Sequence, residues 1–219
     1  MEPGNPGTLE PSSIALLISG RGSNLQAIID AVTAGTIDAR IAVVISNRAD
    51  APGLAYARRA GIQAVTIDHR SYSSRDEFDR VLVEELRSRH VDLVCLAGFM
   101  RLLGPAFLEA FPDAVLNIHP SLLPAFPGID AQRQALEHGV KMTGATVHFV
   151  TGELDAGPIV LQASVSVLED DTVETLSARI LEQEHRLYPA AIGLVLAGGW
   201  RIEGRRFVRS PQPKSARRG

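Results

Sequence analysis

From residue 14 onward, short apolar runs of strand length alternate with segments of helical period, and that alternation restricts the chain to a parallel sheet with crossover helices. The run from Ile14 to Ile18 reads as the first strand. Ser23 as N-cap with Gln26 three residues on makes a capping box, and Leu25, Ile28, Ile29 and Val32 line one face of the helix that follows. RIAVVIS, ending at Ser46, is a second strand, after which Asp50 is placed to cap a helix and Gly61 to stop it. A short strand from Ala64 to Ile67 precedes a helix with Ser74 and Glu77 as its capping box and Phe78, Val81, Leu82 and Leu86 as its buried stripe. Leu93 to Ala97, apolar on both faces, is the strand expected nearest the sheet centre, and Ala114 to Ile118 is a further one. Repeated units of this kind predict an α/β fold: a doubly wound, mostly parallel Rossmann-like sheet with helices on both faces.

The second half changes character. Thr143 to Val150 and Ile159 to Val167 are joined by TGELDAGP, a loop rather than a helix, so they are expected to pair as an antiparallel hairpin at one end of the sheet. A last helix begins near Asp171, with Glu174 completing its box and Pro189 expected to kink or divide it. The expected organisation is one domain over residues 13–209, with a disordered extension at 1–12 and a disordered basic tail at 210–219. The first dozen residues lack the apolar core of a leader or anchor, and no run approaches the ~20 apolar residues of a membrane helix. A formal charge of −3 gives no basic field for nucleic acid or an anionic membrane, so a cytoplasmic protein without either partner is expected. The single cysteine, Cys95, lies in an apolar strand, which suits a structural thiol and leaves no disulfide framework or thiolate-rich metal site.

Two stretches carry chemistry. The first strand runs into ISGRGSNLQ, where glycines and a helix N-terminus together suit a bound phosphate. A dinucleotide site is disfavoured, because Leu25 stands where a third glycine belongs and Ser46-Asn47-Arg48 lacks an acidic residue for an adenosine ribose. A monophosphate remains, although a tight turn without ligand uses the same residues. In VLNIHPSLLPAFPG, Asn117 and His119 sit two apart at the carboxyl end of a strand and so share a face. Asp155 in the TGELDAGP loop is a possible partner whose charge would favour the imidazolium form of His119. A histidine so charged can donate a proton to an oxygen gaining negative charge, and Asn117 can donate an amide hydrogen bond to the same atom. The plain alternatives are a strand-end Asn and His satisfied by backbone and an Asp that bonds its own turn. His148, alternating within a strand, reads as a core histidine. The six histidines show no H-E-x-x-H spacing, and no metal site is expected.

Taken together, ISGRGSNLQAIIDA, LAGFMRLL, LNIHPSLLPAFPG, TGATVHFV, ELDAGPIVLQ and EQEHRLYP resemble the folate-dependent formyltransferase family, in its glycinamide-ribonucleotide branch. The HPSLLP and LDxGP motifs belong to the wider family, and G-S-N-L-Q narrows the choice. The resemblance implies direct transfer of the formyl group of 10-formyltetrahydrofolate to the amine of 5'-phosphoribosylglycinamide, a step of purine biosynthesis. It implies that Gly22, Ser23 and Asn24 hold the substrate phosphate and that Glu184 contacts its ribose or glycinamide part. Met100, Arg101, Leu102 and Leu103 would border the pterin pocket, with Arg75 and Asn117 also on the folate side. Thr151, Gly152, Glu153, Leu154 and Asp155 would close over that pocket. Asn117, His119 and Asp155 would be the catalytic set, with no metal, in a monomer or homodimer. The rival readings are a formyltetrahydrofolate hydrolase, which uses water as acceptor, a tRNA-directed member needing a further domain, and a non-catalytic nucleotide-phosphate binding module.

Overall fold

The computed structural model describes residues 11–210. The expectations for residues 1–10 and 211–219 lie outside the described residues. The chain forms two compact units, one up to Leu102 and one from Leu103. In the first, β1 (Ser12–Ile18), β2 (Ala39–Ser46), β3 (Ala64–Thr66) and β4 (Leu93–Leu96) lie in the order β3-β2-β1-β4, every pair parallel. Ile14 through Ile18 and Val43 through Ile45 are fully buried, which is why these strands read as continuous apolar runs rather than as alternations. Between the strands run α1 (Ser23–Thr33), α2 (Leu54–Arg59) and α3 (Arg75–Ser88). The chain steps outward from β1 to β2 and β3, then returns to the other side of β1 as β4. The strand order therefore reverses between β1 and β4, where open parallel sheets bind ligands beyond the carboxyl ends of their strands.

The second unit begins with α4 (Pro105–Ala110) and β5 (Val115–His119), then α5 (Ala131–Glu137), β6 (Met142–Phe149) and β7 (Ile159–Ser166). The long α6 (Val173–Leu196) follows, and β8 (Trp200–Glu203) and β9 (Arg206–Arg209) close the chain. The order is β5-β6-β7-β9-β8. β6 and β7 form the expected antiparallel hairpin, but not at one end of the sheet. The β8–β9 hairpin lies beyond it, with the rings of Trp200 and Phe207 5.3 Å apart, tilted against one another and against Phe149. Those two strands escaped the sequence reading, although Trp200 and Ile202 alternate with polar residues just before the turn glycine, Gly204.

Helix capping differs in detail from expectation. Ser23 is the first residue of α1 rather than its cap. The cap is Gly22, left-handed at φ 78°, and Gln26 bonds Asp30 instead of closing a box. Asp50 does not cap α2, which starts after Gly53; its carboxylate accepts from Arg48 instead. Ser74 does cap α3, but Glu77 reaches back one residue further, to Ser73. On α6 the reciprocal pair is Thr172 and Thr175, not Asp171 and Glu174, and Asp171 is held by Arg179. Pro189 sits inside α6 without dividing it. Among the described residues no helix is long and apolar enough to cross a membrane.

Tyr188 on α6 ties that helix to the strand bearing Asn117 and His119, donating from its buried hydroxyl to the Leu116 carbonyl at 3.0 Å. Tyr188→Phe keeps the ring but removes this hydrogen bond. A loss of about 1–2 kcal/mol in urea unfolding is expected, with m unchanged; an unaltered midpoint would remove the bond from the account.

Candidate active site

In the first unit the predicted phosphate loop lies at the reversal of strand order. β1 runs out into Ser19, whose N–H donates to the Gly98 carbonyl at 3.0 Å beyond β4. The Ser19 hydroxyl donates to Asn47 Oδ1 at 2.6 Å and accepts from the Met100 N–H at 2.8 Å. One hydroxyl thereby fixes the loop after β1 relative to the segment after β4. Gly22 has two reasons to be glycine: its φ of 78° is left-handed, and a Cβ there would come within 2.7 Å of the Gly53 Cα. Gly22 as N-cap of α1 offers no side-chain cap hydrogen bond, and a helix N-terminus of that kind suits an anion.

Beyond β4, Met100 and Leu102 are 77% and 61% exposed, large apolar side chains left uncovered. Between them Arg101 turns back, its guanidinium 5.9 Å from the Phe78 ring centre. Arg75 is exposed at the start of α3. Leu103, the last of the predicted pterin-side residues, is buried instead.

The second unit brings the predicted catalytic trio together. Asn117 and His119 stand on β5 opposite His148 and Thr146 on β6, so all four side chains share one face. His119 and Asp155 are nearly buried, with Nδ1 3.4 Å from Oδ2. On the other edge of the ring, Nε2 lies 2.8 Å from the Phe126 carbonyl oxygen. A carbonyl only accepts, so Nε2 carries a proton and Nδ1 is the nitrogen turned toward Asp155. Phe126 presents that carbonyl from a left-handed conformation, φ 53°, a costly one for a residue with a side chain. Asp155 is left-handed too, φ 48°, and its Oδ2 also accepts from the Gly128 N–H at 2.8 Å. The loop is shaped from below by Thr146, whose hydroxyl donates to the Ser121 carbonyl and accepts from the Leu123 N–H.

His148, read from sequence as a core histidine, joins this cluster. Its Nε2 lies 3.3 Å from Asn117 Nδ2 and 3.7 Å from Asp155 Oδ1. Burial pushes its pKa below the usual histidine range, against the opposing pull of the Phe149 carbonyl and Asp155. The register that pairs Asn117 with His148 is the missing signal, because it depends on how β5 meets β6 and not on local pattern. Thr151, Gly152, Glu153 and Leu154 are exposed, with Leu154 beside Gly128, and Glu184 is buried on α6. Among the described residues no group of three or more His, Cys, Asp or Glu is arranged to hold a metal ion.

Residues 12–192 match the family model described as formyl transferase. The chain belongs to the formyl transferase family. Among its relatives, the phosphoribosylglycinamide formyltransferase of Escherichia coli (strain K12) is 48% identical, with 88% of each chain covered. The trifunctional purine biosynthetic protein adenosine-3 of Homo sapiens is 51% identical over 84% of this chain. This chain spans only 18% of that protein's length and 19% of its Gallus gallus counterpart's. The crystal structure of glycinamide ribonucleotide transformylase 1 from Symbiobacterium toebii is 57% identical, with a TM-score of 0.92 and 95% of this chain and 99% of that one covered. The formyl transferase fold agrees with the alternation read from the sequence: a parallel sheet with helices, then an antiparallel hairpin in the C-terminal half.

Proposed function

We propose that this chain transfers the formyl group of 10-formyltetrahydrofolate directly to the amine of 5'-phosphoribosylglycinamide, giving the N-formyl product and tetrahydrofolate in purine biosynthesis. The observation that carries the reading is the buried cluster in which His119 Nδ1 faces Asp155 Oδ2 at 3.4 Å while Nε2 is held by a backbone carbonyl. At that separation the carboxylate closes no short hydrogen bond on the ring, which leaves Nδ1–H free to be shared with a substrate oxygen.

The donor supplies an activated formyl carbon bound to nitrogen. His119 Nδ1–H and the Asn117 amide donate to the formyl oxygen as the attacking amine loads it with charge. The amine must lose one proton and the departing nitrogen must gain one, so the transfer consumes none. Asp155 is the carboxylate placed to sustain His119 through that exchange and to take up the proton from the new amide nitrogen. Orientation of two bound reactants contributes much of the remaining acceleration.

Gly22, Ser23 and Asn24 hold the phosphate at the α1 N-terminus, and Glu184 contacts the ribose or glycinamide portion. Met100, Arg101, Leu102 and Leu103 border the pterin, with Arg75 and Asn117 also on the folate side, and residues 151–155 close over it. The uncovered apolar surface of Met100 and Leu102 supports that placement. Residues 13–209 act as one catalytic domain, in keeping with a family match that runs from residue 12 to residue 192. A cytoplasmic monomer or homodimer completes the reading.

The experiment is a spectrophotometric transfer assay with 10-formyl-5,8-dideazafolate, run with and without glycinamide ribonucleotide. Turnover that requires the amine is expected; deformylation by water alone would point to a hydrolase, and no turnover to a binding module. In the same assay, Ser23→Ala with Asn24→Ala is expected to raise the KM for the ribonucleotide by about tenfold or more, the equivalent of one charged hydrogen bond. The folate KM should stay within about twofold on the same scale. Equal losses for both substrates would move the phosphate elsewhere.

A further inference from the structure

His148 has one ring nitrogen already committed. Its Nδ1 lies 2.9 Å from the Phe149 carbonyl, so Nδ1 carries the hydrogen and the neutral ring presents a bare lone pair at Nε2. Two groups face that lone pair. One is the Asn117 amide nitrogen at 3.3 Å and the other the Asp155 carboxylate at 3.7 Å. A carboxylate oxygen offers no hydrogen to a lone pair, whereas an amide nitrogen offers two. The imidazole is only 2% exposed, so water does not supply a substitute donor. Turning the Asn117 amide over would set its carbonyl oxygen against the same lone pair, two acceptors facing each other in a buried site, which is strongly disfavoured.

We infer that His148 is a positioning residue for formyl transfer, accepting a hydrogen bond from Asn117 and so fixing which end of that amide meets the reacting oxygen. The inference rests on the proposed role of Asn117 as a donor to the formyl oxygen. One amide hydrogen is taken by His148, and the second remains for the substrate in a fixed direction. A core histidine satisfied by the Phe149 carbonyl alone would have no such effect, because nothing would depend on its Nε2.

Three variants separate these roles. His148→Leu removes the acceptor and is expected to lower kcat by ten- to a hundredfold, as loss of an oriented transition-state contact does, with both KM values within about twofold. His148→Gln restores an acceptor oxygen near the Nε2 position and is expected to recover most of that loss. In an Asn117→Ala background, His148→Leu should cost no more than about twofold further, because a residue acting through Asn117 has nothing left to orient. Full additivity of the two losses would overturn the inference, as would a glutamine variant no better than leucine. Ring nitrogen shifts of ¹⁵N-histidine-labelled protein at neutral pH should show protonated Nδ1 and bare Nε2. An Nε2–H tautomer or a charged ring would refute the arrangement even if the leucine variant failed to fold. Absence of ribonucleotide-dependent transfer in the unaltered protein would sink the functional reading and the positioning role together. Transfer with additive losses would sink the positioning role alone.

Discussion

Asp155→Asn is expected to lower turnover by about 10²- to 10⁴-fold, the range contributed by a positioned proton-transfer group, while the protein remains folded. The carboxylate meets three partners: the Gly128 N–H at 2.8 Å, His119 Nδ1 at 3.4 Å and His148 Nε2 at 3.7 Å. An asparagine can keep the first through its own carbonyl oxygen. Its amide nitrogen then falls where Oδ1 stood and can point a hydrogen toward His148. The loop is therefore held as before, but the negative charge disappears and a second donor faces the His148 lone pair that Asn117 uses. The carboxylate that faced His119 Nδ1 is gone, and an amide in its place cannot take up a proton. Steady-state rates together with a thermal melt decide the matter. A turnover within about threefold of the unaltered protein, too small for a lost acid–base group, would take Asp155 out of the chemistry. A collapsed melting temperature would make its role structural.

Gly157→Ala is expected to destabilise the protein by about 3 kcal/mol, at the upper end for an overpacked site. On a chain of this size that corresponds to a fall of roughly 6–12 °C in Tm. The glycine lies two residues beyond Asp155, where a methyl carbon would overlap the Phe149 carbonyl oxygen and sit 3.1 Å from Thr151 Cγ2. Exposed Thr151 can give way, but the Phe149 carbonyl cannot retreat cheaply. Phe149 belongs to β6, donates its own N–H to the Pro158 carbonyl and accepts from His148 Nδ1 at 2.9 Å. The damage should therefore reach catalysis as well: His148 would be displaced with its acceptor, and residual activity should fall further than the loss of folded protein explains. A Tm within about 2 °C of the starting protein would mean that the loop yields with less than 1 kcal/mol of strain.

Much of this was legible in the sequence because the burial that forms parallel strands is written as local apolar runs. The β1 run from Ile14 to Ile18 and the fully buried run of β4 needed nothing beyond their own residues. Caps were less legible, since Ser23, Asp50 and Thr172 all have the chemistry to cap, and backbone path alone selects among them. The same path chose Gly22, where the close approach of Gly53 leaves no room for a side chain. Asn117 and His119 could be placed on one face because strand parity is local. That Asp155 meets them, and that His148 stands opposite Asn117, depends on register between strands separated by the whole of α5. Nothing near His148 in the chain announces that register.

The group that sets the tautomer of His119 belongs to the main chain, the carbonyl of Phe126. Every amino acid carries such a carbonyl, and any that can take the left-handed φ of 53°, as proline cannot, would bring the same oxygen to that position, so the instruction is carried by the course of the loop more than by the identity of its residue. The phenylalanine ring has a separate task, packing 5.2 Å from the ring of His138 at the C-cap of α5. A scan that exchanges side chains one at a time would register that packing and pass over the carbonyl. The vulnerability of the imidazole lies in loop length: one residue inserted or removed between Pro120 and Gly128 would re-aim the acceptor and leave every catalytic side chain in the sequence untouched.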